Sequence, residues 1–362
     1  MNRPVVIFSL LLLAMTGLAG CQTEQPMDPG LPIGAMDARK LGYSVLWAAD
    51  LDLPDGHQVS HVAALDDLLV IVESPSNLVT ALSIRDGTVR WRQKVGSHLE
   101  RLFEPVRYGD RILINSETRL FLLSTLTEQI DEEHELEAAV RNSPAIVGDY
   151  AIFGAENGLV FWHDLQTGYS RWRQQLSGRV IVRPVASGAG VFVADGNGRF
   201  AMYSASGGEL LWQGRAFDRI TAQPVATTGD VLVASEDHCL YALHALSGKD
   251  HWIYRVTEPL IDDPILIGAT AYLPSPQRGL IAIDTANGAD LWTMEDPARP
   301  IVQLGDMVLM NTGSSLVLVE VRTGRQMVEV PVYPLQRVLP GPDQSLVLVS
   351  RSGGLVRLDP LR

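Results

Sequence analysis

The sequence predicts an all-β protein: an eight-bladed β-propeller made of four-stranded antiparallel blades of about 40 residues each. Three residue types recur in phase over four successive units, because tryptophans and prolines each stand 40 residues apart and a glycine precedes each tryptophan by four residues. The tryptophans are Trp172, Trp212, Trp252 and Trp292, and the prolines are Pro144, Pro184, Pro224 and Pro264. Self-similarity at a fixed period of a few tens of residues indicates a repeat architecture.

One unit, residues 143–176, shows why each repeat is predicted to be a small sheet. Four short runs rich in Val, Ile, Phe, Tyr and Trp are separated by "GD", "ENG" and "LQTG". Runs of that length and composition are typical of strands, and the gaps have turn chemistry. A four-stranded unit buries both faces only by stacking on copies of itself, which is the logic of a propeller.

The last turn of each unit carries the most regular motif, with Ala282, Asp284, Gly288 and Trp292 as its best copy. The aspartate can accept backbone N–H groups in the turn, and the glycine can take a positive φ. We predict turn glycines and tryptophans that dock one blade on the next. The glycines are Gly87, Gly168, Gly208, Gly248 and Gly288, and the tryptophans are Trp47, Trp91, Trp172, Trp212, Trp252 and Trp292.

This motif resembles the tryptophan-docking motif of pyrroloquinoline-quinone (PQQ) type β-propellers over essentially the whole body of the chain. Some copies depart from it, since Trp162 and Met202 replace the small residue, and Ser204 and His244 replace the aspartate. One unit is degenerate, with Glu128 at the glycine position, Glu132 at the tryptophan position and an acidic run over 131–137. That run is interpreted as a solvated outer strand, with a partner surface as the alternative.

The units predict one domain over residues 41–362. Seven units end near residues 91, 132, 172, 212, 252, 292 and 328, and the C-terminal segment supplies three further strands. The missing strand is available at "YSVLWAADL", where Trp47 stands in the expected place. We therefore predict that an N-terminal strand closes the eighth blade, which removes an exposed sheet edge.

The N-terminus predicts a lipoprotein. Residues 1–20 read as a signal peptide, with Arg3, an apolar run too short to span a bilayer, and "LAG" directly before Cys21. We expect lipidation of Cys21, with an ordinary secretory signal and a chance cysteine as the alternative. Gln22 after the cysteine favours the outer membrane. Residues 21–40, rich in Pro, Gly and polar residues, are predicted to be a flexible tether.

Charge and cysteine usage exclude several functions. The formal net charge is −13, and loss of Arg3 with the signal peptide makes it −14, which repels nucleic acid and anionic headgroups. We therefore predict no nucleic-acid partner and membrane attachment through the lipid anchor only. The second cysteine, Cys239, lies in an apolar run and is predicted to be an inert core thiol without a disulfide.

No catalytic constellation emerges from the sequence. His238, His244 and His251 share one unit, but their gaps of six and seven do not fit metal ligands on one strand face. A PQQ-dependent dehydrogenase is the enzymatic alternative, since that family shares the motif. Such enzymes typically carry an adjacent cysteine pair and calcium ligands, and nothing groups Asp262 and Asp263 with a Glu and an Asn. We predict no catalytic residue, no cofactor and no metal.

A lipid-tethered, eight-bladed propeller of this repeat type resembles the BamB family, lipoprotein subunits of the outer-membrane β-barrel assembly machine. The resemblance implies a non-catalytic, monomeric scaffold in the outer membrane, facing the periplasm, that docks on periplasmic domains of the central barrel subunit. An envelope sensor of a small ligand or a polysaccharide is a further alternative.

The residues just before the in-phase prolines are candidates for a binding site at the propeller mouth. They are Ser143, Arg183, Gln223 and Asp263. If they start the innermost strand of each blade, they border the central channel and can contact a partner. The alternative is that they only satisfy hydrogen bonds of the turns.

Overall fold

The computed structural model describes residues 31–361. The predicted signal peptide, Cys21 and the first part of the predicted tether lie outside the described residues.

The described chain begins with a short helix, α1 (Ala35–Lys40), and the strand β1 (Tyr43–Asp50). Seven runs of four strands and a final run of three follow. The first four runs are β2 (Gln58–Leu65), β3 (Leu68–Ser74), β4 (Leu78–Ser83), β5 (Val89–Lys94); β6 (Val106–Tyr108), β7 (Arg111–Asn115), β8 (Arg119–Ser124), β9 (Ile130–Glu135); β10 (Ala145–Val147), β11 (Tyr150–Gly154), β12 (Leu159–Asp164), β13 (Tyr169–Gln175); and β14 (Val185–Ser187), β15 (Gly190–Ala194), β16 (Arg199–Tyr203), β17 (Leu210–Arg215).

The remaining runs follow the same plan. They are β18 (Val225–Ala226), β19 (Asp230–Ser235), β20 (Cys239–His244), β21 (Asp250–Arg255); β22 (Ile265–Ile267), β23 (Thr270–Ser275), β24 (Gly279–Asp284), β25 (Asp290–Met294); β26 (Arg299–Leu304), β27 (Met307–Asn311), β28 (Ser315–Glu320), β29 (Gln326–Pro331); and β30 (Leu335–Pro340), β31 (Leu346–Ser350), β32 (Gly354–Pro360), with a short 3-10 turn at Pro342–Gln344.

Residues 31–361 form eight four-stranded sheets, as the 40-residue period predicts. Seven sheets each contain four strands consecutive in the chain, and the eighth has the order β1-β32-β31-β30. β1 pairs antiparallel with β32, with Tyr43 opposite Pro360 and Asp50 opposite Gly354. The predicted eight-bladed β-propeller, with its last blade closed by an N-terminal strand, is thus confirmed.

The chain divides into two compact units. The first contains residues 31–94, 311–318 and 326–361, and the second contains residues 95–310 and 319–325. Two complete sheets, β2–β5 and β30–β32 with β1, belong to the first unit, and five complete sheets, β6–β25, belong to the second.

The core of the second unit lies between successive sheets. Phe192 and Phe200 of one sheet pack with Val231 and Tyr241 of the next, and the opposite face of that next sheet packs on β23 and β24. In the first unit, buried residues of β3 and β4 likewise pack on β31 and β32. Successive side chains of each middle strand point to opposite faces of its sheet. Because both faces are covered, each middle strand contributes side chains to two cores.

Helix α1 begins the folded part earlier than the predicted tether boundary at residue 40. Ile33 and Ala38 are buried, α1 packs against β1 and β29, and the Tyr333 N–H donates to the Pro32 carbonyl at 3.1 Å. Buried apolar side chains and this hydrogen bond thus connect residues 32–40 to the strands of the first unit. Among residues 31–361, no helix is long and apolar enough to cross a bilayer.

Candidate protein-binding face

The six predicted docking tryptophans all lie on the outermost strand of a sheet. Four of their indole N–H groups donate to a backbone carbonyl just past the third strand of the next sheet. The pairs are Trp47–Ile84 (2.9 Å), Trp212–Ala245 (2.8 Å), Trp252–Thr285 (2.9 Å) and Trp292–Val321 (2.7 Å). Trp172 packs on the ring of Tyr150, with 4.8 Å between ring centroids, and Trp91 is buried opposite Ala81.

Four of the five predicted turn glycines lie against one of these tryptophan side chains. Gly288 has a φ of 73°, and a Cβ built there would lie 2.7 Å from Cδ2 of Trp252. A side chain at this position is therefore disfavoured both by the backbone and by the indole. Gly324, with a φ of 70°, receives Trp292 in the same way and was missed by the sequence analysis. Its signal is a Thr-Gly pair four residues before Val328, where the next tryptophan is expected.

The degenerate unit keeps this geometry with different side chains. Glu128 has a φ of 61°, the conformation of the glycine that it replaces. Glu132 pairs with Arg111 at 2.8 Å. The imidazole of His134, two residues further along β9, lies against Gly168 instead, with Cδ2 3.3 Å from a Cβ built there.

His134 belongs to a small polar cluster between β9 and β12. Its Nδ1 lies 2.9 Å from Nε2 of His163, and its Nε2 lies 3.2 Å from Oε2 of Glu132. Burial, reinforced by the neighbouring His134, lowers the pKa of His163 to about 4. His163 is only 1% exposed, so its neutral ring is the stable form in this site. Nothing in the sequence spacing identified this pair.

The four loop candidates stand where the sequence placed them, just before the prolines that precede β10, β14, β18 and β22. Gln223 joins two neighbouring loops: its Oε1 accepts the Arg183 N–H at 2.8 Å, and its Nε2 donates to the Arg183 carbonyl at 2.9 Å. The Gln223 N–H donates to Oδ1 of Asp263 at 2.7 Å. Ser143 is buried and donates to the Glu104 carbonyl at 2.7 Å.

The four candidates differ in whether their side-chain polar groups are already used in these hydrogen bonds or remain available to a partner. The side chains of Ser143, Gln223 and Asp263 already bond to the backbone of a neighbouring loop. Arg183 uses only its backbone in these bonds, and the residue is exposed. Its guanidinium is therefore the group of the four best placed for recognition.

The same loops present exposed side chains that the sequence analysis did not name as binding candidates. Phe217 is 93% exposed, and Arg179, Ile261 and Asp262 are also exposed. We call the loops 176–184, 216–224 and 256–264 together the loop face. An aromatic residue in a polar connection, as in "AFDRI", was the available signal for Phe217.

Acidic side chains accept hydrogen bonds from the loops of the loop face and so fix their conformation. Buried Asp195 accepts the Gly178 N–H at 2.8 Å, and Asp237 accepts the Phe217 N–H at 2.7 Å. Glu258, also buried, accepts the Thr257 hydroxyl at 2.8 Å and bonds to Ser275. The exposed groups therefore project from loops with fixed backbones, which lowers the entropy cost of binding.

The carboxylates and the cysteine considered for the enzymatic alternative lie in different environments. Asp262 and Asp263 are exposed on the loop face, and Cys239 is buried, with its thiol pKa raised chiefly by burial. Within residues 31–361, no group of three or more His, Cys, Asp or Glu side chains is placed to hold a metal ion.

Four-stranded sheets with tryptophans on their outer strands and glycines in their turns define a β-propeller of the PQQ-like repeat class. The sequence model of the family described as "Outer membrane protein assembly factor BamB" matches residues 33–180, 127–222 and 207–339. These matches cover most of the chain, and the protein belongs to this family.

Known relatives agree with this assignment. The outer membrane protein assembly factor BamB of Legionella pneumophila (strain Paris) is 27% identical over 186 residues, which are 49% of this chain and 48% of that protein. The match thus spans about half the length of that relative. The crystal structure of BamB from Moraxella catarrhalis superposes with a TM-score of 0.69 at 17% identity, covering 88% of this chain and 97% of that one.

A quinohemoprotein alcohol dehydrogenase from Pseudomonas putida HK5 superposes equally well. Its TM-score is 0.70 at 12% identity, covering 91% of this chain and 78% of that one. At such low identity this likeness shows a shared fold alone.

Proposed function

We propose that the protein is a non-catalytic scaffold of the bacterial envelope that assists the assembly of outer-membrane proteins. In this proposal it is a monomeric propeller, anchored to the outer membrane by lipid on Cys21 and facing the periplasm. Its partner is a subunit of the β-barrel assembly machinery, reached through the loop face. Membership of a family described as an outer membrane protein assembly factor supports this assignment.

The observation that carries the proposal is the exposure of Phe217 on a loop that is held by hydrogen bonds. An aromatic side chain that stands in water is a common anchor of protein interfaces when its backbone is already ordered. Exposed Arg179 and Arg183 in the preceding loop and exposed Asp262 in the following loop add charges of both signs to the loop face. Such charges supply complementary pairs with a partner and thereby fix the register of binding.

The test is recovery of barrel-assembly subunits with the full-length, tagged protein after mild crosslinking of native envelope. We expect Phe217→Ala to lower recovery by about 30-fold or more if Phe217 acts as a hot spot worth at least about 2 kcal/mol. Arg183→Glu should lower it as well. Leu246→Ala is the matched control, since Leu246 is a 78% exposed apolar residue in the β20–β21 turn.

Two results would contradict the proposal. Equal recovery with all three variants would remove the loop face from the interaction. Dye-linked alcohol oxidation after reconstitution with PQQ and calcium would show that the protein is an enzyme.

A further inference from the structure

The chain enters the folded body at a defined place in the first unit. The Pro32 carbonyl accepts the Tyr333 N–H at 3.1 Å, and Ile33 is buried next to it in sequence. Helix α1 then packs against β1 and β29. The N-terminal segment is therefore fixed to the body from Pro32 onward.

Large apolar side chains are exposed around this entry point. Met36 of α1 is 51% exposed, Leu46 of β1 is 52% exposed and Met327 of β29 is 52% exposed. Tyr333, which bonds to Pro32, is partly exposed, and so is Leu361, whose N–H donates to the Gly42 carbonyl at 2.8 Å. We call these five residues the α1 rim.

The α1 rim is a group of neighbours rather than a set of scattered residues. Three of its members lie on α1 or on strands that α1 touches, and backbone hydrogen bonds tie the other two to the segments that flank α1. Isolated exposed apolar residues need no explanation, whereas a group of them on one surface indicates an interaction site.

Charges close to the α1 rim are locally balanced. Lys40 pairs with Asp37 at 2.8 Å, and Arg357 pairs with Asp359 at 2.8 Å. Arg39 adds a basic group in the last turn of α1, and exposed Glu329 adds an acidic group on β29. The negative net charge of the whole chain is therefore not concentrated here, and an approach to zwitterionic headgroups meets little repulsion.

The length of the chain between Cys21 and Pro32 limits how far the α1 rim can lie from a lipid on Cys21. Eleven residue steps separate Cys21 from Pro32, and an extended chain of that length spans at most about 40 Å. We propose that the α1 rim rests on the leaflet that holds the lipid of Cys21, with its apolar side chains at the boundary between headgroups and acyl chains. This inference rests on the lipid anchoring of the proposed function.

The chemistry of the α1 rim suits that position. Methionine and leucine side chains enter the acyl boundary readily, and a tyrosine places its ring among the headgroups with the hydroxyl toward water. Once the lipid holds the protein at the surface, this contact is intramolecular in effect, so five side chains suffice to orient the body.

The test uses the lipidated, full-length chain on phosphatidylcholine vesicles that contain spin-labelled, quenching lipids. Met36→Cys and Met327→Cys receive an environment-sensitive fluorophore, and Leu246→Cys and Leu126→Cys serve as exposed controls in the second unit. We expect several-fold stronger quenching and a blue shift at positions 36 and 327 than at 246 and 126. The buried Cys239 thiol stays unlabelled in all four variants.

The outcomes separate the two proposals. Flotation with the vesicles and equal quenching at all four positions would overturn the α1 rim as a membrane contact and leave the scaffold function standing. Failure of the full-length chain to float with the vesicles would overturn the lipid anchoring and, with it, this inference.

Discussion

Two junctions between neighbouring sheets solve the same packing problem with different chemistry. At the Trp252 junction, an indole covers Gly288 and donates to a backbone carbonyl. At the degenerate junction, the imidazole of His134 covers Gly168 and bonds to a second, buried imidazole. The glycine of the turn is present at both junctions, whereas the side chain that packs against it differs. Only the second solution contains titratable rings, so only that junction is expected to respond to pH.

The largest expected loss of stability comes from removing the indole at the Trp252 junction. Trp252→Ala should lower the free energy of unfolding by about 3–5 kcal/mol, because it removes a large packed ring and leaves the Thr285 carbonyl without its donor. Chemical denaturation measures this directly. His134→Ala is the matched substitution at the other junction, and its smaller ring should cost less. Equal costs would contradict the distinction between the two junctions.

The second prediction concerns pH and only the histidine junction. The pKa of His163 is lowered to about 4 in the folded protein, so between about pH 6.5 and 4 the unfolded chain binds a proton that the folded one does not. Stability should therefore fall as the pH drops through this range, by at most about 3 kcal/mol from this group. Denaturation midpoints measured at a series of pH values report the loss.

The control for this pH dependence is His163→Gln, which keeps a hydrogen-bonding side chain beside His134 but does not titrate. Charged neighbours of His163 include Asp164 and Glu137, and Glu132 faces the other side of His134. If the variant loses stability on acidification as steeply as the wild type, these carboxylates and not His163 control the effect.

A smaller effect is expected at the turn glycines. Gly288→Ala should cost about 2 kcal/mol, since an L-residue at positive φ is strained by about 1–2 kcal/mol and the new methyl group meets the Trp252 ring. Thermal unfolding detects a change of this size. Gly148, which also has a positive φ but no atom within 4 Å of a built Cβ, is the control for backbone strain alone.

The smallest expected effect is a gain in stability rather than a loss. Glu128 occupies the glycine position of the degenerate turn at a φ of 61°, so Glu128→Gly should stabilise the protein by about 1 kcal/mol. Its exposed side chain makes the substitution simple to interpret by chemical denaturation. A destabilising result would mean that the Glu128 carboxylate has a role that the backbone geometry does not reveal.

The fold could be predicted because its determinants are local and periodic. Most turns carry a glycine and most outer strands carry a tryptophan, and "YSVLWAADL" has the composition of the strand that closes the last sheet. Helix α1 could not be predicted, since six residues give little helical signal and Ile33 becomes buried only through distant strands. The His134–His163 pair likewise joins two sheets across 29 residues without any motif.

The candidate site was predictable in position but not in detail. The period located Ser143, Arg183, Gln223 and Asp263 in neighbouring loops. Sequence alone could not show that Arg183 bonds through its backbone while Gln223 and Asp263 bond through their side chains. The exposure of Phe217 depends on the same loop geometry, so it emerged only from the structure.

The most direct test of the central claim, that the loop face binds a partner in the envelope, is site-specific photocrosslinking in living cells. A photoreactive phenylalanine analogue replaces Phe217 in one variant and Leu246 in another. We predict a crosslink from position 217 to a subunit of the barrel-assembly machinery and none from position 246. A crosslink to that machinery from position 246 but not from 217, or from neither position, would contradict the account.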